Sequence, residues 1–68
     1  MENKLAEIRK QNNIGQGYLV ENLGVSRQTI SSIENGRTTP SLDLALDIAD
    51  LLDVPVDEIF VREKKHQK

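Results

Sequence analysis

Among its 68 residues the chain has no cysteine and a single histidine. A disulfide framework and a thiolate metal site are thereby excluded, and one imidazole cannot build a zinc centre alone. Folding must rest on apolar packing. A chain this short buries a smaller fraction of its surface than a larger domain does, so it forms one domain with a limited core, and a second copy is a plausible source of further burial. Long hydrophobic runs are also missing. No segment approaches the roughly 18 apolar residues of a membrane span, and "MENKLAEIRK" carries charges where a signal peptide needs an apolar stretch. The expectation is a soluble cytoplasmic protein.

A positive excess is lacking as well. The net charge of −2 argues, taken whole, against a nucleic-acid partner, because such domains are often strongly basic. The distribution tempers that objection. Up to Arg37, Lys4, Arg9, Lys10, Arg27 and Arg37 nearly balance Glu2, Glu7, Glu21 and Glu34. From Thr38 to Val61 the charges are Asp43, Asp47, Asp50, Asp53, Asp57 and Glu58, with no lysine or arginine. A molecule polarised in this way can offer one face to phosphate and keep the other from it.

Turn residues and apolar spacing divide the chain into short helices. Asn3 is placed to cap a first helix with Leu5 and Ile8 on one face, closed by "NNIG". A second helix, from about Gln16 to Asn22, turns Leu19, Val20 and Leu23 inward, and Gly24 supplies the residue most tolerant of positive φ at its exit. Ser26 caps a third helix, with Thr29 at the third helical position, and "ENG" stops it at Gly36. After "RTTP", Ser41 opens a fourth helix that runs to about Leu52. Its apolar residues cover more than half its circumference, leaving Asp43, Asp47 and Asp50 as one solvated ridge. That width implies central burial, a subunit contact, or both, with Leu46 and Leu51 at the flanks of the arc. "DVPVDEIF" reads as a turn and one short helical turn that delivers Ile59 and Phe60 to the core. No strand, repeat or linker is expected. The domain spans residues 1–61, and 62–68 form a basic tail.

The third helix, in "VSRQTISSIENG", is unusually poor in hydrophobic residues. On a 3.6-residue wheel Ile30 and Ile33 define its inward face, with Ser26 and Glu34 near that side, and Arg27, Gln28, Ser31, Ser32 and Asn35 point outward. Short side chains let a helix backbone approach a partner surface closely. In a major groove, arginine can bond guanine O6 and N7, and glutamine can bond adenine N6 and N7. "QGYLVENLGVSRQTISSI" adds the spacing of two helices crossing steeply through a short glycine turn. Alone, Arg27 and Gln28 would read as two solvated residues of a first turn; inside this constellation they read as base contacts.

From about Leu5 to Phe60 the chain resembles the Cro/phage-repressor type of helix-turn-helix family, also called the xenobiotic-response-element family of bacterial regulators. The resemblance rests on "LAEIRK", Gln16, "LGVSRQTISSIENGRTTPS" and "VPVDEIF". It implies an all-α bundle of about five short helices, usually a homodimer, that binds operator DNA and regulates transcription. It further implies that Arg27, Gln28 and Ser32, with Ser31 in a lesser part, contact bases. Gln16 would sit on a phosphate or buttress Gln28, Asn35, Arg37 and Thr38 would lie along the DNA backbone with Ser26 at the helix start, and Glu34 would pair with Arg9. Two positions depart from the family pattern. Gly15 stands where a Ser or Thr cap is usual and Gly17 weakens the first turn after it, while Val20 stands where Ala is usual, at the closest approach of the two helices.

The expected function is therefore a sequence-specific DNA-binding regulator, a repressor on a palindromic operator. It would act as a homodimer through the fourth and fifth helices, with the tail as a further candidate contact, and with helices in successive major grooves about 34 Å apart. The rival from another class is a protein-interaction module of the same fold, an antitoxin or adaptor whose apolar fourth helix docks a protein. Enzyme readings find no support in the sequence: it holds no recognisable nucleophile, histidine and acid arrangement, no phosphate loop, and no convergent oxygens for a metal. No cofactor, metal or small-molecule effector is expected.

Overall fold

The computed structural model describes residues 2–61. The elements follow in the order β1 (Glu2–Asn3), α1 (Leu5–Gln11), α2 (Gln16–Leu23), α3 (Arg27–Glu34), α4 (Leu42–Leu52), α5 (Val56–Ile59) and β2 (Phe60–Val61). The five helices lie where the sequence pattern puts them, with α2 closing one residue past Asn22. The basic tail of residues 62–68 lies outside the described residues.

Three helices end in the same way. After α1, Asn13 takes φ 59°, its N–H donates to the Lys10 carbonyl at 3.0 Å, and that of Ile14 donates to the Arg9 carbonyl at 2.9 Å. Gly36 (φ 75°) closes α3 and Asp53 (φ 59°) closes α4 with the corresponding pairs of bonds. These are Schellman turns, in which a left-handed residue lets the chain satisfy two carbonyls that the helix would otherwise leave orphaned. Asn and Asp tolerate this conformation because a short polar side chain can bond locally. The exit from α1 thus falls on Asn13, and Gly15, at φ −85°, opens α2.

Two short strands correct the expectation that the chain has none. β1 pairs antiparallel with β2, in the register Glu2 with Val61 and Asn3 with Phe60. The Lys4 N–H continues the ribbon by donating to the Ile59 carbonyl at 2.7 Å. Asn3 therefore belongs to a strand, yet its side chain still serves the start of α1. Its Oδ1 accepts from the Leu5 N–H at 3.1 Å, and its Nδ2 donates to the Ile33 carbonyl at 2.7 Å. One amide thus fixes both the entry to α1 and the last turn of α3.

The core gathers Leu5, Leu19, Ile30, Ile33, Ile48 and Ile59, all essentially without solvent exposure. Ala45, Ala49, Leu52 and Phe60 complete it. Full burial of each large apolar side chain is worth about 1.5–3 kcal/mol relative to exposure, and α4, which packs on both α2 and α5, supplies the central share. Solvent meets α4 over more than the expected single ridge. Besides Asp43, Asp47 and Asp50, Leu42 is 72% exposed and Leu46 44%, whereas Leu51 is partly buried against the core.

Candidate nucleic-acid interface

The geometry of α3 starts at its caps. Gly24 (φ 71°) ends α2, and its N–H donates to the Val20 carbonyl at 3.0 Å. Only two residues later, extended Ser26 begins the next helix. The Ser26 Oγ accepts the Thr29 N–H at 3.1 Å and shares a hydrogen bond with the Thr29 hydroxyl at 3.0 Å. Ser26 is exposed and not turned toward the inward side, because the cap bond holds it at the rim of the helix. Ile30 and Ile33 anchor α3 from below. Arg27, Gln28 and Asn35 stand exposed above, with Ser31 and Ser32 partly buried between them.

An open concavity of ≈ 410 Å³ is lined by Gln16, Arg27, Gln28, Ser31, Ser32, Asn35 and Arg37. All four expected base-contacting residues line it, together with three of those expected along the backbone. Its lining holds two arginines and no carboxylate. The Schellman turn at Gly36 accounts for Arg37: the Arg37 N–H donates to the Ser32 carbonyl at 2.9 Å, folding the chain back so that Arg37 joins the face of α3. Two expected residues lie outside the concavity. Ser26 is committed to the cap, and exposed Thr38 is tied by its N–H to the Ser32 carbonyl at 3.3 Å.

Beneath the concavity runs a chain of polar contacts. Arg9 Nε donates to Glu34 Oε2 at 2.7 Å and Nη2 to Oε1 at 3.3 Å, with the two side chains 10% and 9% exposed. Arg9 Nη1 also donates to the Ile14 carbonyl at 3.0 Å, so one guanidinium braces α1, its exit and α3. Gln16 Nε2 donates to Glu34 Oε1 at 3.0 Å, and Arg27 Nη1 donates to Gln16 Oε1 at 3.3 Å. Glu34, the carboxylate nearest the interface in sequence, is thus turned inward and neutralised.

The pair expected from the family resemblance, Arg9 with Glu34, is present. Of the two expectations for Gln16, a phosphate or a buttress to Gln28, the described contacts bear on the second: its side chain bonds Glu34 and Arg27 and not Gln28. The sequence carried no signal for this, because Gln16 and Arg27 meet only once α2 and α3 have crossed. Gly17 belongs to the same contact. A Cβ built there would lie 3.4 Å from Arg27 Nη2, so the guanidinium rests against the bare first turn of α2. Among the described residues no group of His, Cys, Asp or Glu is arranged to hold a metal ion, and no helix is long and apolar enough to cross a membrane.

The helix-turn-helix family profile matches residues 5–59. The chain is similar to an uncharacterised helix-turn-helix-type transcriptional regulator of Methanocaldococcus jannaschii, with 48% identity over 63 residues, covering 93% of this chain and 96% of that one. It is also similar to the helix-turn-helix-type transcriptional regulator AnsR of Bacillus subtilis, 38% identical over 64 residues, covering 94% of this chain and 55% of AnsR. Among solved structures, the restriction-modification controller protein C.AhdI from Aeromonas hydrophila superposes with a TM-score of 0.76 at 30% identity, over 84% of this chain and 86% of that one.

Proposed function

The chain belongs to the helix-turn-helix family of the Cro/phage-repressor type, a family of DNA-binding transcriptional regulators and not an enzyme class, and from that premise we propose that it reads a specific operator through α3. Arg27, Gln28, Ser31 and Ser32 meet base edges in the major groove, while Gln16, Ser26, Asn35, Arg37 and Thr38 follow the phosphates. The observation that carries this reading is the shared concavity, which brings two guanidiniums and five neutral hydrogen-bonding side chains to one surface without a carboxylate. Phosphate contacts fix register and base contacts specify, so a surface of this composition suits both tasks.

The regulator acts in the cytoplasm as a repressor on a palindromic site, through a homodimer that places its two α3 helices in successive major grooves about 34 Å apart. Leu42 and Leu46, exposed one turn apart on α4, support α4 together with α5 as the dimer contact, because a second copy would bury apolar surface that the monomer leaves in water. Residues 1–61 are the unit that does this. The test is selection of bound duplexes from a random pool, followed by Arg27→Ala. A palindromic motif is expected, and the substitution should cost about 1–3 kcal/mol at the selected site and relax preference at one base position. Unchanged retention after Arg27→Ala would overturn base reading by that residue, and no enrichment would instead favour an interaction module that docks a protein through α4.

A further inference from the structure

Resting on the reading of Arg37 as a phosphate contact, the far end of α3 gives a strand residue a part in DNA binding. We propose that Asn3 is a positioning residue that holds the C-terminal turn of α3, and with it Arg37, ready for phosphate. The amide is mounted on a fixed frame. Asn3 pairs with Phe60 in the ribbon, the Lys4 N–H donates to the Ile59 carbonyl at 2.7 Å, and Ile59 and Phe60 are buried in the core. Its direction is fixed too. A primary amide has one acceptor end and one donor end. Oδ1 takes the Leu5 N–H at 3.1 Å, which leaves Nδ2 to donate to the Ile33 carbonyl at 2.7 Å.

The Ile33 oxygen is where this bond gains leverage on the interface. It also accepts the Gly36 N–H at 3.0 Å, the first bond of the turn that brings the Arg37 N–H to the Ser32 carbonyl at 2.9 Å. A carbonyl has two lone pairs, so the turn and Asn3 share one atom without competing for it. Carbonyls in a last helical turn have no helical partner, and helix ends open locally for that reason. A rotation of the Ile33 peptide would release Gly36 and free Arg37 from the face of α3; Asn3 opposes that rotation from outside the helix. The ordering cost of the phosphate contact is thereby met before DNA arrives. Phosphate contacts carry no sequence information, so Asn3 acts on affinity and leaves base choice alone.

The test isolates the donor end of the amide. Asn3→Ser keeps a neutral oxygen for the Leu5 N–H, as serine does in turns of this kind, but lacks the NH2 and the reach for Ile33. Full chains carrying Asn3→Ser, Arg37→Ala or both, each confirmed folded by thermal melting, are titrated with the selected duplex and an unrelated one at several salt concentrations. Asn3→Ser should weaken both duplexes alike by about 2- to 12-fold, the equivalent of one ordinary hydrogen bond. It should lower the salt slope toward that of Arg37→Ala and add nothing in the double variant. In the free protein, amide exchange of Arg37 should quicken by a similar factor in Asn3→Ser. The same is expected of Asn3→Asp, which keeps the acceptor and puts an oxygen in place of the donor, and which carries this measurement if the serine chain does not fold. If Arg37→Ala weakens both duplexes while Asn3→Ser leaves binding unchanged, or if neither Asn3 variant quickens the exchange, the positioning role falls and the phosphate contact stands. A loss in Asn3→Ser that persists undiminished alongside Arg37→Ala does not pass through Arg37 and also overturns the role. Unchanged affinity and salt slope in Arg37→Ala overturn the phosphate contact itself, and positioning with it.

Discussion

Arg9 and Glu34 join the first and third helices through a two-pronged ion pair, Nε to Oε2 at 2.7 Å and Nη2 to Oε1 at 3.3 Å, with both side chains nearly free of solvent. Removing one partner strands the other as a buried charge. Glu34→Ala is expected to cost about 3–5 kcal/mol, a large part of the total stability of so small a domain. Replacing both at once, Arg9→Met with Glu34→Leu, exchanges two desolvated charges for apolar packing and should lose less than Glu34→Ala alone. Urea unfolding of the three chains measures this; a double variant at least as unstable as Glu34→Ala would mean that the pair is worth more than its desolvation costs.

Much of this architecture was legible because it is local. Ser26 and Ser41 announce helix starts through their own hydroxyls, and both accept the expected N–H three residues on. Ile30 and Ile33 set the roll of α3 by spacing alone, and with it the outward row of Arg27, Gln28, Ser31, Ser32 and Asn35. What the sequence hid is tertiary. The ribbon of β1 and β2 has two residues per strand, too few for an alternation to register, and it exists because the fold brings the two segments together at Asn3 and Phe60. Asn3 could be read as a cap but not as a donor to Ile33, a partner 30 residues away. The exposure of Leu42 could not be inferred from an apolar arc, which predicts burial without saying against what.

The glycines separate by conformation, and their substitutions should separate in sign. Gly36, at φ 75°, sits where a Cβ is strained, so Gly36→Ala should destabilise by about 1–2 kcal/mol. It should also loosen the turn that folds Arg37 back onto α3. Gly17 is helical, and a Cβ there meets Arg27 Nη2 only at 3.4 Å, an ordinary contact. Gly17→Ala should therefore stabilise by about 0.5–1 kcal/mol. Thermal melts of the two variants are expected to move in opposite directions; two shifts of the same sign would contradict the assignment.

Leu42 and Leu46 are the test of assembly. Each exposes apolar surface in the isolated chain and neither belongs to the buried core, so replacing them by lysine leaves that core in place. If α4 is the dimer contact, Leu42→Lys with Leu46→Lys should turn a dimer into a monomer in light scattering while leaving the helix content by circular dichroism unchanged. A consequence for DNA follows: two half-sites bound by one dimer act as a linked pair, and the monomeric variant should lose most of its preference for a palindrome over a single half-site. Retention of the dimer by the double variant would move the contact elsewhere.

Arg37 offers the sharpest contrast with Arg27, since the two guanidiniums line the same concavity from opposite ends of α3. Arg27 stands at the N-terminal end, where a helix entering the major groove brings side chains to base edges. Arg37 follows the C-terminal turn and is held there through its own backbone, the Arg37 N–H bonded to the Ser32 carbonyl at 2.9 Å. A charge in that place neutralises phosphate without reading sequence. Arg37→Ala should therefore weaken binding about equally on selected and unrelated duplexes and reduce the slope of log affinity against log salt by about one. Titrations at several salt concentrations decide it: a change of base preference in Arg37→Ala would place this residue among the readers and shift the footprint of α3 toward its C-terminal end.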